Sequence, residues 1–267
     1  MQPAQAKGND KTRSERGIPM LTSHTVTLDG PRSKFADQLV EELNQLINEQ
    51  IISPEFRLLW ETPLTMDRAK FYALQLIYYG ANRRDCWAHI QARAPYDVKQ
   101  AIWNHEQDEL IHDPRGGADH LTLMSQEAAA IGVTADELAN AETTPLVRAA
   151  LLAFTHLACN LPWLGGLTAS HFLERRNNIK LVKGGGASYR WRDRLINELG
   201  IDPSLLKSTS VHVEADEDHS DMIEAAITRH VTDEESYKAA LLGARECIYI
   251  DRAYRGAVAH GMRAIET

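Results

Sequence analysis

Disulfide chemistry is the first thing this 267-residue chain lacks, since its three cysteines, Cys86, Cys159 and Cys247, are odd in number and far apart. They form neither a disulfide framework nor a C-x-x-C zinc signature and read as buried free thiols. Basic residues are in deficit, with 29 Lys and Arg against 37 Asp and Glu and a formal charge of −8. That balance gives no electrostatic case for a phosphate-backbone partner, so no nucleic acid is expected. No apolar run approaches the roughly 20 residues that cross a bilayer, and Met1 to Gly17 has no apolar core of a secretory signal. The chain is expected to be cytoplasmic, with no membrane partner. No Gly-x-Ser-x-Gly elbow is present. Lys183-Gly-Gly-Gly186 is followed by Ala187-Ser188 rather than the Lys-Ser or Lys-Thr of a phosphate-binding loop. That stretch reads as a connector between helices, or as a lid over a pocket.

What is present is helical periodicity. Residues 1–18 are polar and without pattern, a disordered leader, and residues 19–267 are expected to form a single domain. Thr25-Val26-Thr27-Leu28, closed by Asp29-Gly30-Pro31, is the one modest strand signal at this end. Phe35, Leu39, Leu43, Leu46 and Ile47 then share one face of a helix starting near Ser33. Further helices are predicted from Asp67 to Ala92, Tyr96 to Ile111, Asp119 to Gly132, Pro145 to Asn177 with a kink at Pro162, Pro203 to His230, and Thr232 to Ile265. Thr134 with Glu137, and Thr232 with Glu235, resemble capping boxes. The pattern implies an all-α bundle of about seven helices.

The sharpest chemical signal is His212-Val-Glu-Ala-Asp216-Glu-Asp-His219. Spacings of four and three place His212, Asp216 and His219 on one stripe of a helix, aimed at one point. Imidazoles with a carboxylate suit iron, manganese or zinc, although Glu214, Glu217, Asp218 and Asp221 around the stripe also fit a solvated acidic face. Partners are available elsewhere. In Asn104-His105-Glu106-Gln107-Asp108-Glu109, Glu109 lies late on an amphipathic helix, and a Gly-Gly turn leads from it to His120 at the start of the next. His112, three residues after Glu109, is the alternative imidazole donor. Glu174 sits on a helix that reads as buried, where a carboxylate needs a partner: Arg175, Arg176 or a metal.

These residues resemble the haem-oxygenase-like diiron oxidases, which bind no haem and hold two irons in a seven-helix bundle. The resemblance runs from about residue 68 to residue 225. It is carried by His212-x3-Asp216-x2-His219, by Glu109 followed across a turn by His120, and by Glu174 on the middle core helix. The resemblance implies a haem-oxygenase-like all-α fold, two irons with O2 as co-substrate, and a bridging role for Glu174. It places Glu109 and His120 on one iron, and His212, Asp216 and His219 mainly on the other. Members of the family carry a further carboxylate on the first core helix, but this chain has no Glu between Glu61 and Glu106; Asp85 is the nearest candidate.

The implied activity is oxidation of a small metabolite, an amino acid or amine, in a specialised biosynthetic pathway, by N-oxygenation, desaturation or oxidative C–C cleavage. Arg83, Arg84 and Arg190 offer guanidinium forks for a substrate carboxylate. Decarboxylation of fatty acids to terminal alkenes is the alternative chemistry. A metal-free enzyme or a binding protein of the same fold is the alternative class. An external electron donor is compatible with this chemistry, and a homodimer with Leu241, Leu242, Ile248 and Ile250 on the last helix.

Overall fold

The computed structural model describes residues 31–266, apart from the side chain of Asp216. The expected leader and the extended stretch at Thr25–Leu28 lie outside the described residues. Eleven α-helices are connected by turns, with no strand among the described residues. Ser33 caps α1 (Lys34–Gln50), whose Ala36, Leu39, Leu43 and Ile47 are buried as the period requires. A helix that periodicity does not announce, α2 (Pro54–Glu61), starts on a proline at its first position. The long α3 (Met66–Arg93) is capped by Thr65 and stops at Ala94-Pro95.

The first of two helices that build one wall of the site, α4 (Tyr96–Glu106), runs into a π-helical turn at Gln107–Ile111, and α5 (His120–Ala130) follows under an Asp119 cap. The capping box of Thr134 and Glu137 forms as expected on α6 (Ala135–Ala139). The predicted helix from Pro145 to Asn177 is two helices, α7 (Pro145–Asn160) and α8 (Trp163–Arg175). Leu161 takes an extended conformation before Pro162, so the proline breaks the helix rather than bending it. The Gly-rich connector leads into α9 (Ala187–Leu199), also absent from the sequence reading.

The last two helices are α10 (Lys207–His230) and α11 (Glu234–Arg263). The expected Thr232 and Glu235 cap on α11 is displaced by one residue. The Asp233 carboxylate accepts from Ser236 N at 2.9 Å, and Asp233 N donates to Ser236 Oγ at 3.1 Å. Asp reaches the third amide as well as Thr does and adds charge at the positive end of the helix.

At the heart of the bundle α8 lies against α11 with almost no gap. A Cβ at Gly243 would fall 1.9 Å from the carbonyl oxygen of Gly165. All thirteen residues of α8 except Trp163 are buried, Glu174 and Arg175 among them. The apolar core spans most helices, and Trp87, Phe56, Phe172 and Tyr254 are its largest fully enclosed apolar side chains. No described helix is long and apolar enough to cross a membrane. On α11, Leu241 is buried, Ile248 and Ile250 are half-buried and Leu242 is exposed, so most of this expected surface is covered by the chain itself.

Candidate metal centre

Glu109 is the centre of the constellation. It lies in the π-helical turn, whose wider winding is recorded in the bond from His112 N to Gln107 O at 2.8 Å. The residue is only 5% exposed. Four imidazoles from three helices surround it, and each has one ring nitrogen pinned from outside.

His105, on α4, donates from Nδ1 to Glu106 Oε1 at 3.0 Å, packs its ring 4.7 Å from that of Trp87, and turns Nε2 inward. His120, at the start of α5, donates from Nε2 to the fully buried Asp113 at 2.9 Å, which brings Nδ1 to 2.9 Å from Glu109 Oε1. Asp113 is itself held by the amide and guanidinium of Arg115, at 2.8 and 3.0 Å. His212 donates from Nδ1 to Ser208 O at 2.8 Å, one turn back along α10. His219, two turns on, donates from Nε2 to Asp108 Oδ2 at 3.1 Å and places Nδ1 3.5 Å from Glu109 Oε1. Outer hydrogen bonds of this kind fix the tautomer and the aim of metal-binding histidines.

Two donor sets result. His105, Glu109 and His219 form one, and Glu109, His120 and His212 the other; within each, the donor atoms lie within 4.8 Å of one another. Glu109 belongs to both. The inward atoms His105 Nε2, His120 Nδ1, His219 Nδ1 and Glu109 Oε1 are buried and make no well-aligned hydrogen bond, the two Nδ1 atoms meeting only Glu109 Oε1 as ion pairs. Buried polar atoms are rarely left so, and four converging on one point fit divalent ions. Imidazole with carboxylate suits iron or zinc.

The electrostatics agree. Burial holds His105 down to about 3 and His212 down to about 4, so both rings are neutral and able to bind a cation. Burial also opposes charge on His120 and His219, but the Glu109 carboxylate wins and both are pushed up to about 9. Glu109 is held well below the usual carboxylate range, because the Arg84 guanidinium and His120 outweigh its burial. Protons on two imidazoles thus balance charge at the place a metal would take.

The expected residues divide as follows. Glu109, His120, His212 and His219 come together. Asp216 lies between the two histidines on α10, and its side chain is outside the described residues. Glu174 is buried at the edge of the first donor set, its Oε1 3.9 Å from His105 Nε2. The carboxylate common to both donor sets is Glu109, Glu174 belongs to neither, and His212 and His219 fall in different sets. His112 is exposed on extended backbone, which leaves His120 as the imidazole donor.

Asp85 is not part of the centre. It is exposed on the outer side of α3, about 100° around the helix from Arg84, which turns inward. Arg84 Nη1 lies 2.8 Å from Glu106 and 3.1 Å from Glu109, so a guanidinium stands where a first-helix carboxylate was expected. Arg190 is also removed from the site. Its Nε and Nη2 donate to Gly185 O and Lys183 O at 2.8 and 2.9 Å, closing the Gly-rich turn. Reading the sequence overlooked His105, although its spacing of four from Glu109 puts the two on one helix face.

A cavity of about 90 Å³ opens onto Glu109, His120, His212 and Glu174. Tyr72, Leu76, Met124 and Trp191 form its apolar side, and Arg83 and Arg176 are in its wall. An all-helical bundle with a buried histidine–carboxylate cluster beside a small cavity is suited to hold metal ions next to a bound small molecule. The family described as iron-containing redox enzymes matches residues 70–252, and the chain belongs to it.

Solved structures share the fold. A domain of unknown function with a heme oxygenase-like fold from Shewanella denitrificans superposes with a TM-score of 0.68 at 11% identity, covering 85% of this chain and 93% of that one. A CADD-like protein of unknown function from Nostoc punctiforme gives 0.65 at 14% identity, covering 85% and 97%. A TenA homologue from P. horikoshii gives 0.52 at 16% identity, covering 83% and 99%. No curated protein sequence matches the chain.

Proposed function

We propose that this iron-containing redox enzyme is a non-haem diiron oxidase or oxygenase that uses O2 on a small metabolite, an amino acid or amine in a biosynthetic pathway. The observation that carries the reading is the pair of donor sets sharing the buried Glu109 carboxylate. Two irons held there would supply the electrons and open coordination positions that dioxygen chemistry requires. The protein's own side chains do the rest. Glu106, Asp113, Asp108 and the Ser208 carbonyl hold the four imidazoles in the ligating tautomer. Tyr72, Leu76, Met124 and Trp191 exclude water and hold the substrate against the centre. Arg83 and Arg84 are the substrate-facing guanidiniums of this reading.

The small volume of the cavity, about 90 Å³, favours a small substrate over a fatty acid. The metal-free reading is disfavoured by four buried donor atoms that converge on one point without a well-aligned hydrogen bond among them. The test is O2 uptake by Fe(II)-loaded chain against a panel of amino acids, amines and fatty acids. Substrate-triggered uptake with one of the first two groups is expected. Uptake that no member triggers, or that persists without iron, contradicts the proposal.

A further inference from the structure

Arg83 is a buried cation that the metal centre does not use. It is 4% exposed, lies in the wall of the cavity beside the centre, and its Nε and Nη2 meet no hydrogen-bond partner among the described residues. The other guanidiniums of the same wall are engaged. Arg84 lies between Glu106 and Glu109. Arg176 pairs with Asp251 at 3.0 Å and donates to the Tyr79 hydroxyl at 3.0 Å. Arg255 pairs with the same Asp251 at 3.3 Å and donates to the Tyr72 hydroxyl at 2.9 Å.

One fully buried carboxylate, Asp251, therefore answers two guanidiniums and also accepts from Gln50 Nε2 at 2.9 Å. Arg83 forms no ion pair among the described residues, and the charge of Glu174, in the same cavity wall, acts on it only at longer range. Its Cζ lies 5.9 Å from the Trp87 ring, a contact that offsets only part of the cost of burying the charge. On its far side is a void of about 10 Å³ beside Cys247, room for a single water at most. The guanidinium is a planar fork suited to a two-oxygen anion. Leu76, Leu121, Met124 and Leu173 give the cavity an apolar patch, and Glu109, His120, His212 and Glu174 give it a polar side.

We propose that Arg83 anchors the carboxylate of the substrate, which is a small organic acid with a short apolar body and not a simple amine. An ammonium group placed beside Arg83 would share a cavity lined by four guanidiniums, those of Arg83, Arg84, Arg176 and Arg255, against the two carboxylates of Glu109 and Glu174. The proposal rests on the reading of this cavity as the oxidase's substrate site, and it narrows the substrate class of that reading.

The test uses the full chain, metal-free and Fe(II)-loaded, with butanoate and its uncharged isostere butanamide as probes followed by ligand-observed NMR. In the metal-free chain no carboxylate can bind through iron. Saturable butanoate binding at least tenfold tighter than butanamide is expected, with chloride competing poorly. Arg83→Met removes that preference and leaves iron stoichiometry unchanged, while Arg83→Lys keeps part of it. Equal affinity for the two probes, equal displacement by chloride, or unaltered butanoate binding in both variants overturns the proposal. If Arg83→Met does not fold, the isostere ratio in the parent chain and Arg83→Lys decide. Carboxylate binding in a chain that takes up no iron would sink the diiron reading while leaving the Arg83 anion site standing.

Discussion

Glu106 and Asp113 carry no motif, yet each aims an imidazole: Glu106 fixes His105 through Nδ1 and Asp113 fixes His120 through Nε2. Loss of such outer partners typically weakens metal binding by roughly 10–100-fold. Glu106→Gln and Asp113→Asn are expected to lower Fe(II) affinity within that range, measured by competition with a chelator, while far-ultraviolet circular dichroism stays helical. Unchanged affinity in both would mean that the rings are aimed by packing alone. His212 and His219 were legible in the sequence because a seven-residue spacing returns to one face of a helix. Asp113 was not, because its role depends on a loop folding back between α4 and α5. Asp85 misled because nearness in sequence to the expected carboxylate position says nothing of direction. One residue around α3 separates an exposed Asp85 from an inward Arg84.

The π-helical turn and the glycine contact between α8 and α11 belong to the scale of elements. Gly243→Ala would push a Cβ into the backbone of Gly165, and overpacking of this kind costs about 1–3 kcal/mol. Thermal denaturation should show a corresponding loss of stability; an unchanged Tm would contradict the tight crossing.

A second link joins α5 to α10. Buried Glu127 accepts from the Thr209 amide at 2.9 Å and from its hydroxyl at 3.0 Å, tying down the first turn of the helix that carries His212. Burial pushes Glu127 up to about 7, although the bonds from Thr209 work the other way. The folded chain therefore binds this proton more tightly than the unfolded one. The stability contributed by the proton is fully present below the ordinary carboxylate range and is lost as pH rises through about 7. Glu127→Gln keeps an acceptor for Thr209 and removes the titration, so its Tm should vary less between pH 5 and pH 8 than that of the parent. Parallel profiles would contradict the assignment.

Helix caps and apolar stripes made α1, α3 and α6 readable in advance. The turn after Glu106 was not, since a π turn is set by what the following loop must reach. The Pro162 break was placed correctly but read as a bend.

For the molecule as a whole, the all-α bundle followed from the run of amphipathic helices, and the family follows from the match over residues 70–252. Four of the centre's residues were readable, His212 and His219 from their spacing on α10 and Glu109 and His120 from their places on either side of one turn; His105 has the spacing of four from Glu109 but no motif, and its ring comes to 4.7 Å from that of His219 when α4 and α10 pack. Helices gathered around unpaired donors should gain stability from metal. At a free metal concentration 100 times Kd the expected gain is about 2.7 kcal/mol, visible as a higher Tm with Fe(II) or Zn(II). The same gain should be lost in Glu109→Ala; a metal-induced shift that survives in this variant would place the bound ion elsewhere.

Anaerobic titration of the metal-free chain with Fe(II), counting ions bound per chain in parent and Glu109→Ala protein, tests the shared-carboxylate centre most directly. The parent should bind two ions and the variant should lose both, because Glu109 serves both donor sets. A parent that binds none, or a variant that still binds two, would contradict it.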